Sequence, residues 1–266
     1  MLLDFDRLGS WRWVLVSIGV LVVLFLLLPI IFIAALSFGD SQWLIFPPPG
    51  WTLHWYQQLF TDSTWIDALF NSAKVAVMVT ILSVTLGLLA SLALTRGKFV
   101  GRNALQTFCL TPMVLPVVVL AVALYAFFLR LGLNGTVTGF VLGHLVIALP
   151  FSIITISNSL GSFDISLEEA AQICGASPLQ VKLRVTLPSI RLGLFAAAIF
   201  SFLVSWDEVV LSIFMASPTL RTLPVLIWST LRQDLTPVIA AASTLLIGIT
   251  VVMMLLVSLI KKGKSS

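Results

Sequence analysis

The chain has 266 residues, of which 59% are hydrophobic and only 10% charged, and its mean hydropathy is +1.11. A soluble domain carries about 25% charged residues, so that class is excluded and an integral membrane protein is implied. The net charge of +4 does not mark a nucleic-acid binder, because the basic residues are spread over four loops and form no single patch.

Crossing the hydrocarbon takes about 20 mainly apolar residues. Six stretches meet that length, near 14–37, 68–95, 105–129, 137–160, 190–216 and 238–260, so residues 1–266 are expected to form one all-α transmembrane domain. The first stretch begins late, is too long for a secretory h-region, contains Pro29 and has no small-residue cleavage site after it, and is therefore expected to be a retained span. The segment Trp43 to Trp65 is rich in aromatics and contains Pro47-Pro48-Pro49-Gly50, which predicts an ordered cap at the interface. Ser83, Gly87 and Ser91 form a small-residue stripe in the second span, and Gly135, Gly139 and Gly143 form another at the start of the fourth, both suited to close helix packing. Thr111-Pro112 and Pro116 predict a kink or break in the third span, and Pro150 predicts one in the fourth. His54 and His144 lie far apart, as do Cys109 and Cys174, so neither a metal site nor a disulfide is expected, and no cofactor is implied.

The fifth span carries Trp206-Asp207-Glu208. An acid within a span costs about 2.5 to 3.5 kcal/mol on insertion scales and should face a partner or a watery cavity. On a continuous helix Asp207 would lie about 28 Å from Pro188, in the outer part of the membrane. Adjacent helical residues point about 100° apart, so only one acid of the pair would face a cavity squarely. The alternative is an acid paired with Arg221 or Arg130. After it, Pro224 to Arg232 can form a short amphipathic helix near the outer surface.

Charge orients the spans. Arg7, Arg12, Arg96, Lys98, Arg102, Lys182, Arg184, Arg191, Lys261, Lys262 and Lys264 put 11 of the 15 basic residues on one side. The positive-inside rule makes that side cytoplasmic, together with both termini and the loop 161–188. The outer side holds Lys74, Arg130, Arg221 and Arg232 against Asp40, Asp62, Asp67 and Asp234, and with Asp207 and Glu208 it is net negative. A negative vestibule concentrates cations.

Within the loop 161–188, Ser166-Leu167-Glu168-Glu169 has the form of a capping box, and Ser177-Pro178-Leu179-Gln180 repeats it with Pro at the first helical position. Two short helices are expected, with Gly175 ending the first in a positive-φ conformation. Pro188 disfavours helix at Leu187 and fits the first turn of the next span.

The same loop reads Glu169-Ala170-Ala171, three residues, Gly175, nine residues, Val185-Thr186-Leu187-Pro188. This resembles the EAA loop of permease subunits of binding-protein-dependent ABC importers, with Val185 where that pattern usually has Ile. The resemblance implies the type I ABC importer permease fold, six helices with a cytoplasmic coupling loop. It also implies docking on a separate ATPase through Glu168, Glu169, Ala170, Ala171, Gly175, Ala176, Ser177, Pro178, Leu187 and Pro188. By the same resemblance the partners are a second homologous permease, two ATP-binding cassette subunits and a periplasmic substrate-binding protein, in the inner membrane of a bacterium. The likeness is closest to spermidine/putrescine permeases, and runs from Trp51-Thr52-Leu53-His54-Trp55-Tyr56 through Asn71-Ser72 and the loop to Thr222-Leu223-Pro224-Val225. Polyamine relatives carry adjacent acids in the fifth span, which implies a substrate pathway at Trp206, Asp207 and Glu208, here Asp-Glu where Asp-Asp is common. Relatives for 4-aminobutyrate-like amino acids, aminoalkylphosphonates and thiamine share much of the pattern, and a secondary transporter using Asp207 for ion coupling is the more distant alternative. The chain has no nucleotide-binding motif, since Gly263-Lys264-Ser265 lacks the earlier Gly and a following helix, so it is expected to be a transport subunit and not an enzyme.

Overall fold

The computed structural model describes residues 11–262; Asp4, Asp6, Arg7 and the Gly263-Lys264-Ser265 tail lie outside them. In chain order the helices are α1 (Trp11–Leu36), α2 (His54–Thr61), α3 (Ser63–Arg96), α4 (Arg102–Leu110), α5 (Val117–Leu131), α6 (Val137–Gly161), α7 (Ser166–Ile173) and α8 (Pro178–Val181). A π-turn (Lys182–Thr186) then leads to α9 (Leu187–Ser189), α10 (Arg191–Trp206), α11 (Val210–Met215), α12 (Leu223–Gln233) and α13 (Pro237–Lys262). Among the described residues there is no strand, only one isolated bridge between Gly39 and Trp51.

Helices α1, α3, α6 and α13 are each long and apolar enough to cross a membrane, and the number rises to six if each of two bent helix pairs is one span. One bent pair is α4 with α5, turned by 100°. The stretch 105–129, for which a kink or break was expected, is two helices separated by a 3₁₀ turn at Thr111–Met113 and by Pro116, which has extended ψ at 124°. Two prolines four residues apart remove two backbone donors, so the ladder that still holds Thr111 (φ −51°, ψ −40°) stops there, and the expected kink or break is a break. Pro150, by contrast, lies within an uninterrupted α6.

The chain divides into two compact units. The first takes in residues through Asp62 together with Thr230–Ile247. In it the segment after α1 is closed by backbone hydrogen bonds from Asp40 N to Gly50 O (2.9 Å) and from Thr52 N to Phe38 O (2.8 Å). The Trp55 indole N–H donates to Gly39 O at 2.8 Å, and the Ser37 and Tyr56 hydroxyls are 2.7 Å apart. The aromatic segment is thus ordered by specific bonds, as its composition predicts.

The second unit, Ser63–Ser229 with the chain from Gly248, holds the core. Helices α3, α6 and α10 pack on one another because each presents small residues to its neighbours. A methyl group on Gly87 would lie only 2.7 Å from Ser152 Cβ, so the glycine in the α3 stripe is what lets α6 approach. At that contact Ser83, Ser152 and Ser201, one from each helix and all fully buried, join their hydroxyls in a triangle with edges of 2.8, 2.7 and 3.1 Å. Apolar clusters flank it. Val75, Val79, Phe128, Phe140, Leu211 and Met215 form one, and Ile156, Leu160, Ile190 and Ala197 the other.

Candidate functional site

Two places in the second unit bring the predicted residues together. The first is the loop after α6. Helix α7 begins one residue earlier than its capping-box reading requires: Ser166 is inside the helix, and its backbone N–H donates to Asp164 Oδ1 at 3.0 Å. An aspartate two residues upstream competes for the same donor, so the first expected box does not form. That hydrogen bond, with a further one from the Ser166 side chain, holds the exposed Asp164 carboxyl below its ordinary range. The second box does form. Ser177 N donates to Gln180 Oε1 at 2.9 Å and Gln180 N to Ser177 Oγ at 3.4 Å, with Pro178 at the first position.

Between the two helices Gly175 adopts φ +89°. Gly175 N donates to Gln172 O at 2.9 Å and Ala176 N to Ala171 O at 3.0 Å, the pair of bonds that closes a helix with a left-handed residue. Leu187 is helical (φ −60°, ψ −46°) although a proline follows it, contrary to the expected boundary there. The π-turn explains this. Leu187 N bonds to Lys182 O, five residues back, and the widened ladder moves the Arg184 carbonyl away from the Pro188 ring. The bend falls instead at Ile190 (φ −95°, ψ 9°), where α10 departs at 70° from the Pro178–Ser189 segment.

Most of the loop faces outward. Glu169, Ala170, Gly175, Ser177, Pro178 and Pro188 are exposed, while Ala171, Ala176 and Leu187 are half-buried. Ile165, Leu167, Ile173, Leu179 and Leu183 add exposed large apolar side chains, an unusual number for a short polar loop. Glu168 points the other way. It is 8% exposed, accepts the Thr186 hydroxyl at 2.9 Å on Oε1, and has Arg96 Nη2 3.7 Å from the same oxygen. The sequence reading missed Arg96 and Thr186 as its partners. The only available signal was a basic residue closing the helix before a polar turn.

The second place is the acidic pair. The helix expected through 190–216 is interrupted: α10 ends at Trp206, and Asp207 to Val209 are not helical. The two acids then differ by task and not by helical angle. Glu208 Oε1 accepts the Leu211 backbone N–H at 2.8 Å and so caps α11, whereas the adjacent Asp207 is exposed. Among the described residues neither Arg130 nor Arg221 forms an ion pair with either acid. Trp206 is 2% exposed and stacks on Phe202 with ring centroids 5.5 Å apart. The break is held from behind by His144, 1% exposed on α6, whose Nδ1 lies 2.8 Å from Ser205 Oγ and whose Nε2 lies 2.8 Å from Ser212 Oγ. One imidazole thus ties the last turn of α10 to α11 across the gap. The sequence offers His144 no nearby ligand partner, and its two serine partners were not legible there.

The architecture is that of an importer membrane subunit. A bacterial ABC transporter involved in the import of the acidic polysaccharide alginate has a chain that superposes with a TM-score of 0.74 over 99% of this chain and 98% of its own, at 18% sequence identity. Residues 83–265 match the family described as the binding-protein-dependent transport system inner membrane component, and the chain belongs to that family. It is 30% identical over 238 residues to the spermidine/putrescine transport system permease protein PotC of Haemophilus influenzae, covering 90% of this chain and 92% of that one. It is 31% identical over 248 residues to the putrescine transport system permease protein PotI of Escherichia coli, covering 90% and 86%. The chain is therefore an ABC importer permease, a transport subunit and not an enzyme, of the inner membrane.

Proposed function

We propose that this permease passes a small cationic solute, a polyamine such as putrescine or spermidine, and that Asp207 meets it in the pathway. The observation that carries the reading is the division of labour at the α10–α11 break: Glu208 is occupied as a cap, and the neighbouring Asp207 carboxylate stands exposed without an ionic partner among the described residues. A free acid beside a pathway gains a cation's charge to offset its own desolvation. The polyamine relatives at 30% and 31% identity support the same class of cargo.

Membership of the family supports the following reading of the rest of the assembly. One domain with six spans, near 14–37, 68–95, 105–129, 137–160, 190–216 and 238–260, would have both termini in the cytoplasm. It would pair with a second permease, two ATPase subunits and a periplasmic binding protein. The loop 161–188 would dock on an ATPase through its exposed face, with Ile173 and Leu179 as apolar anchors beside Glu169, Ala170, Ala171, Gly175, Ala176, Ser177 and Pro178. Closure of the ATPases on ATP would move the loop and open the cavity between the permeases to the outside.

The test is uptake of labelled putrescine and spermidine by cells expressing the chain with its partner subunits. At an effective dielectric near 20, a charge pair about 4 Å apart is worth up to about 4 kcal/mol before desolvation. Asp207→Asn is expected to cut uptake strongly while the complex still assembles. Glu208→Gln, whose amide oxygen still accepts the Leu211 N–H, is expected to cut it less. Equal uptake by wild type and Asp207→Asn would take the acid out of the pathway, and wild type that imports neither amine would move the cargo to another small solute.

A further inference from the structure

Glu168 is set apart from the loop's other acidic residues, Asp164 and Glu169, by facing inward, and four segments meet at it. Helix α3 supplies Arg96, its last residue, and the Arg96 guanidinium also donates from Nη2 to Leu160 O at the end of α6, at 3.3 Å. Its carbon lies 6.0 Å from the centre of the Phe163 ring. Helix α7 supplies Glu168, and the π-turn supplies the fully buried Thr186, whose hydroxyl donates to Glu168 Oε1. Helix α7 is joined by short lengths of chain to α6 on one side and, through α8 and the π-turn, to α10 on the other. Helix α3 has no such connection, since its end is separated from α7 by the whole of α4, α5 and α6. Helix α3 packs on α6 and α10, and the Arg96–Glu168 pair adds a direct side-chain link from it to α7.

The geometry of the link leaves room for change. The Arg96–Glu168 separation of 3.7 Å is close to 1 Å longer than a charge-assisted hydrogen bond, about 2.7–2.9 Å. The Arg96 Nε–H is buried and has no acceptor. A movement of α7 toward α3 by about 1 Å would turn a loose ion pair into a hydrogen-bonded one and give the guanidinium a further acceptor. Both partners are largely withdrawn from water, at 20% and 10% side-chain exposure, so the pair is screened less than a surface one.

We propose that Arg96 and Glu168 form the tie through which the loop moves α3, with Thr186 holding the Glu168 carboxylate in place, so that a displacement imposed on α7 reaches the helix core by an ion pair. Arg96 is a positioning residue in this role: it touches neither cargo nor nucleotide. The proposal rests on the assignment of the loop 161–188 to ATPase docking, and goes beyond it by naming the route from the docking face into the bundle.

The test uses the assembled importer in proteoliposomes and needs no knowledge of the cargo. In a background with Cys109→Ser and Cys174→Ser, Asp67→Cys places a thiol on exposed α3 surface near that helix's first turns. Its rate of reaction with a membrane-impermeant maleimide is compared with and without trapping of the ATPases by ATP and vanadate. We expect trapping to change the rate in the otherwise wild-type complex. Arg96→Gln should shrink that change at least about fivefold, the lower end of ordinary coupling between sites. The ATPase subunits should still co-purify. Arg96→Lys, which keeps the charge, should retain most of the response, and Thr186→Val, which frees the carboxylate without touching either charge, should weaken it. An unchanged thiol rate on trapping in the wild type, or the same change in Arg96→Gln as in wild type, would overturn the tie. Where Arg96→Gln fails to assemble, a wild-type response in Thr186→Val overturns it equally. Failure of the ATPases to co-purify with the wild-type chain is a separate result, and would remove the docking assignment itself.

Discussion

Substitutions at Gly175 separate backbone geometry from side-chain contact. The residue has φ +89°, and a Cβ built there meets no atom within 4 Å. Any effect of Ala is therefore conformational, of order 1–2 kcal/mol for a residue with a Cβ in the left-handed region. Asn adopts that region more readily and should cost less. Pro should cost most, because it fixes φ near −65° and deletes the N–H that donates to Gln172 O at 2.9 Å, worth about 0.5–1.5 kcal/mol more. If only the observed angle between α7 and α8 fits an ATPase, the docking-competent fraction falls by the same free energy. About 1.4 kcal/mol is tenfold, so Ala should lower apparent ATPase affinity by about fivefold to thirtyfold and Pro by more. The assay is retention of ATPase subunits on the purified permease pair, with ATP turnover on addition of loaded binding protein. The expected order is Gly, Asn, Ala, Pro. A Gly175→Pro complex that keeps its ATPases and its full stimulated turnover would refute the reasoning.

Three further outcomes are expected. Gly87→Ala places a methyl 2.7 Å from Ser152 Cβ and should destabilise the bundle by about 1–3 kcal/mol, read as a lower Tm in detergent, whereas Gly161→Ala, with nothing within 4 Å, should leave Tm nearly unchanged. His144→Ala strips Ser205 and Ser212 of a buried partner; Ser205 can turn back onto a carbonyl of α10, but Ser212, in the first turn of α11, has no helical carbonyl behind it, so about 1–3 kcal/mol is expected for that hydroxyl and Tm should fall; a Tm equal to that of wild type would mean Ser212 finds another partner. In the Cys109→Ser, Cys174→Ser background, Arg102→Cys should react with impermeant thiol reagents only from the cytoplasmic side and Asp62→Cys only from outside, and labelling of Asp62→Cys from inside would reverse the topology.

The helices expected over 68–95 and 137–160 were legible because long apolar runs bounded by charge leave the chain few alternatives, and the structure has α3 from Ser63 to Arg96 and α6 from Val137 to Gly161. The Ser177 box and the Gly175 turn were legible because their physics is local, confined to four or five consecutive residues. What failed were places where two local rules compete. Asp164 outbids Glu169 for the Ser166 N–H, and the π-turn lifts the penalty that Pro188 would otherwise impose on Leu187. The interruption at Asp207 was hidden by the apolar residues on both sides, which read as one helix. Two carboxylates beside a helix end instead let Glu208 start a new one. The inward turn of Glu168 depends on Arg96, far away in sequence, and no pattern within the loop encodes it.

The hydroxyl triangle of Ser83, Ser152 and Ser201 has a consequence for how the bundle can rearrange. A helical serine always has a second option, because its hydroxyl can turn back onto a carbonyl three or four residues earlier in its own helix. Separating α3, α6 and α10 at this level therefore orphans no polar group, even where water is absent. Hydroxyl bonds between helices in membranes average only about 0.6 kcal/mol for the same reason. An apolar interlock of equal tightness would have to be pried apart against close packing, and a charged one against full desolvation. Three serines instead make a seam that fastens in register and opens at low cost, which suits the rearrangement of the bundle that the proposed transport cycle requires.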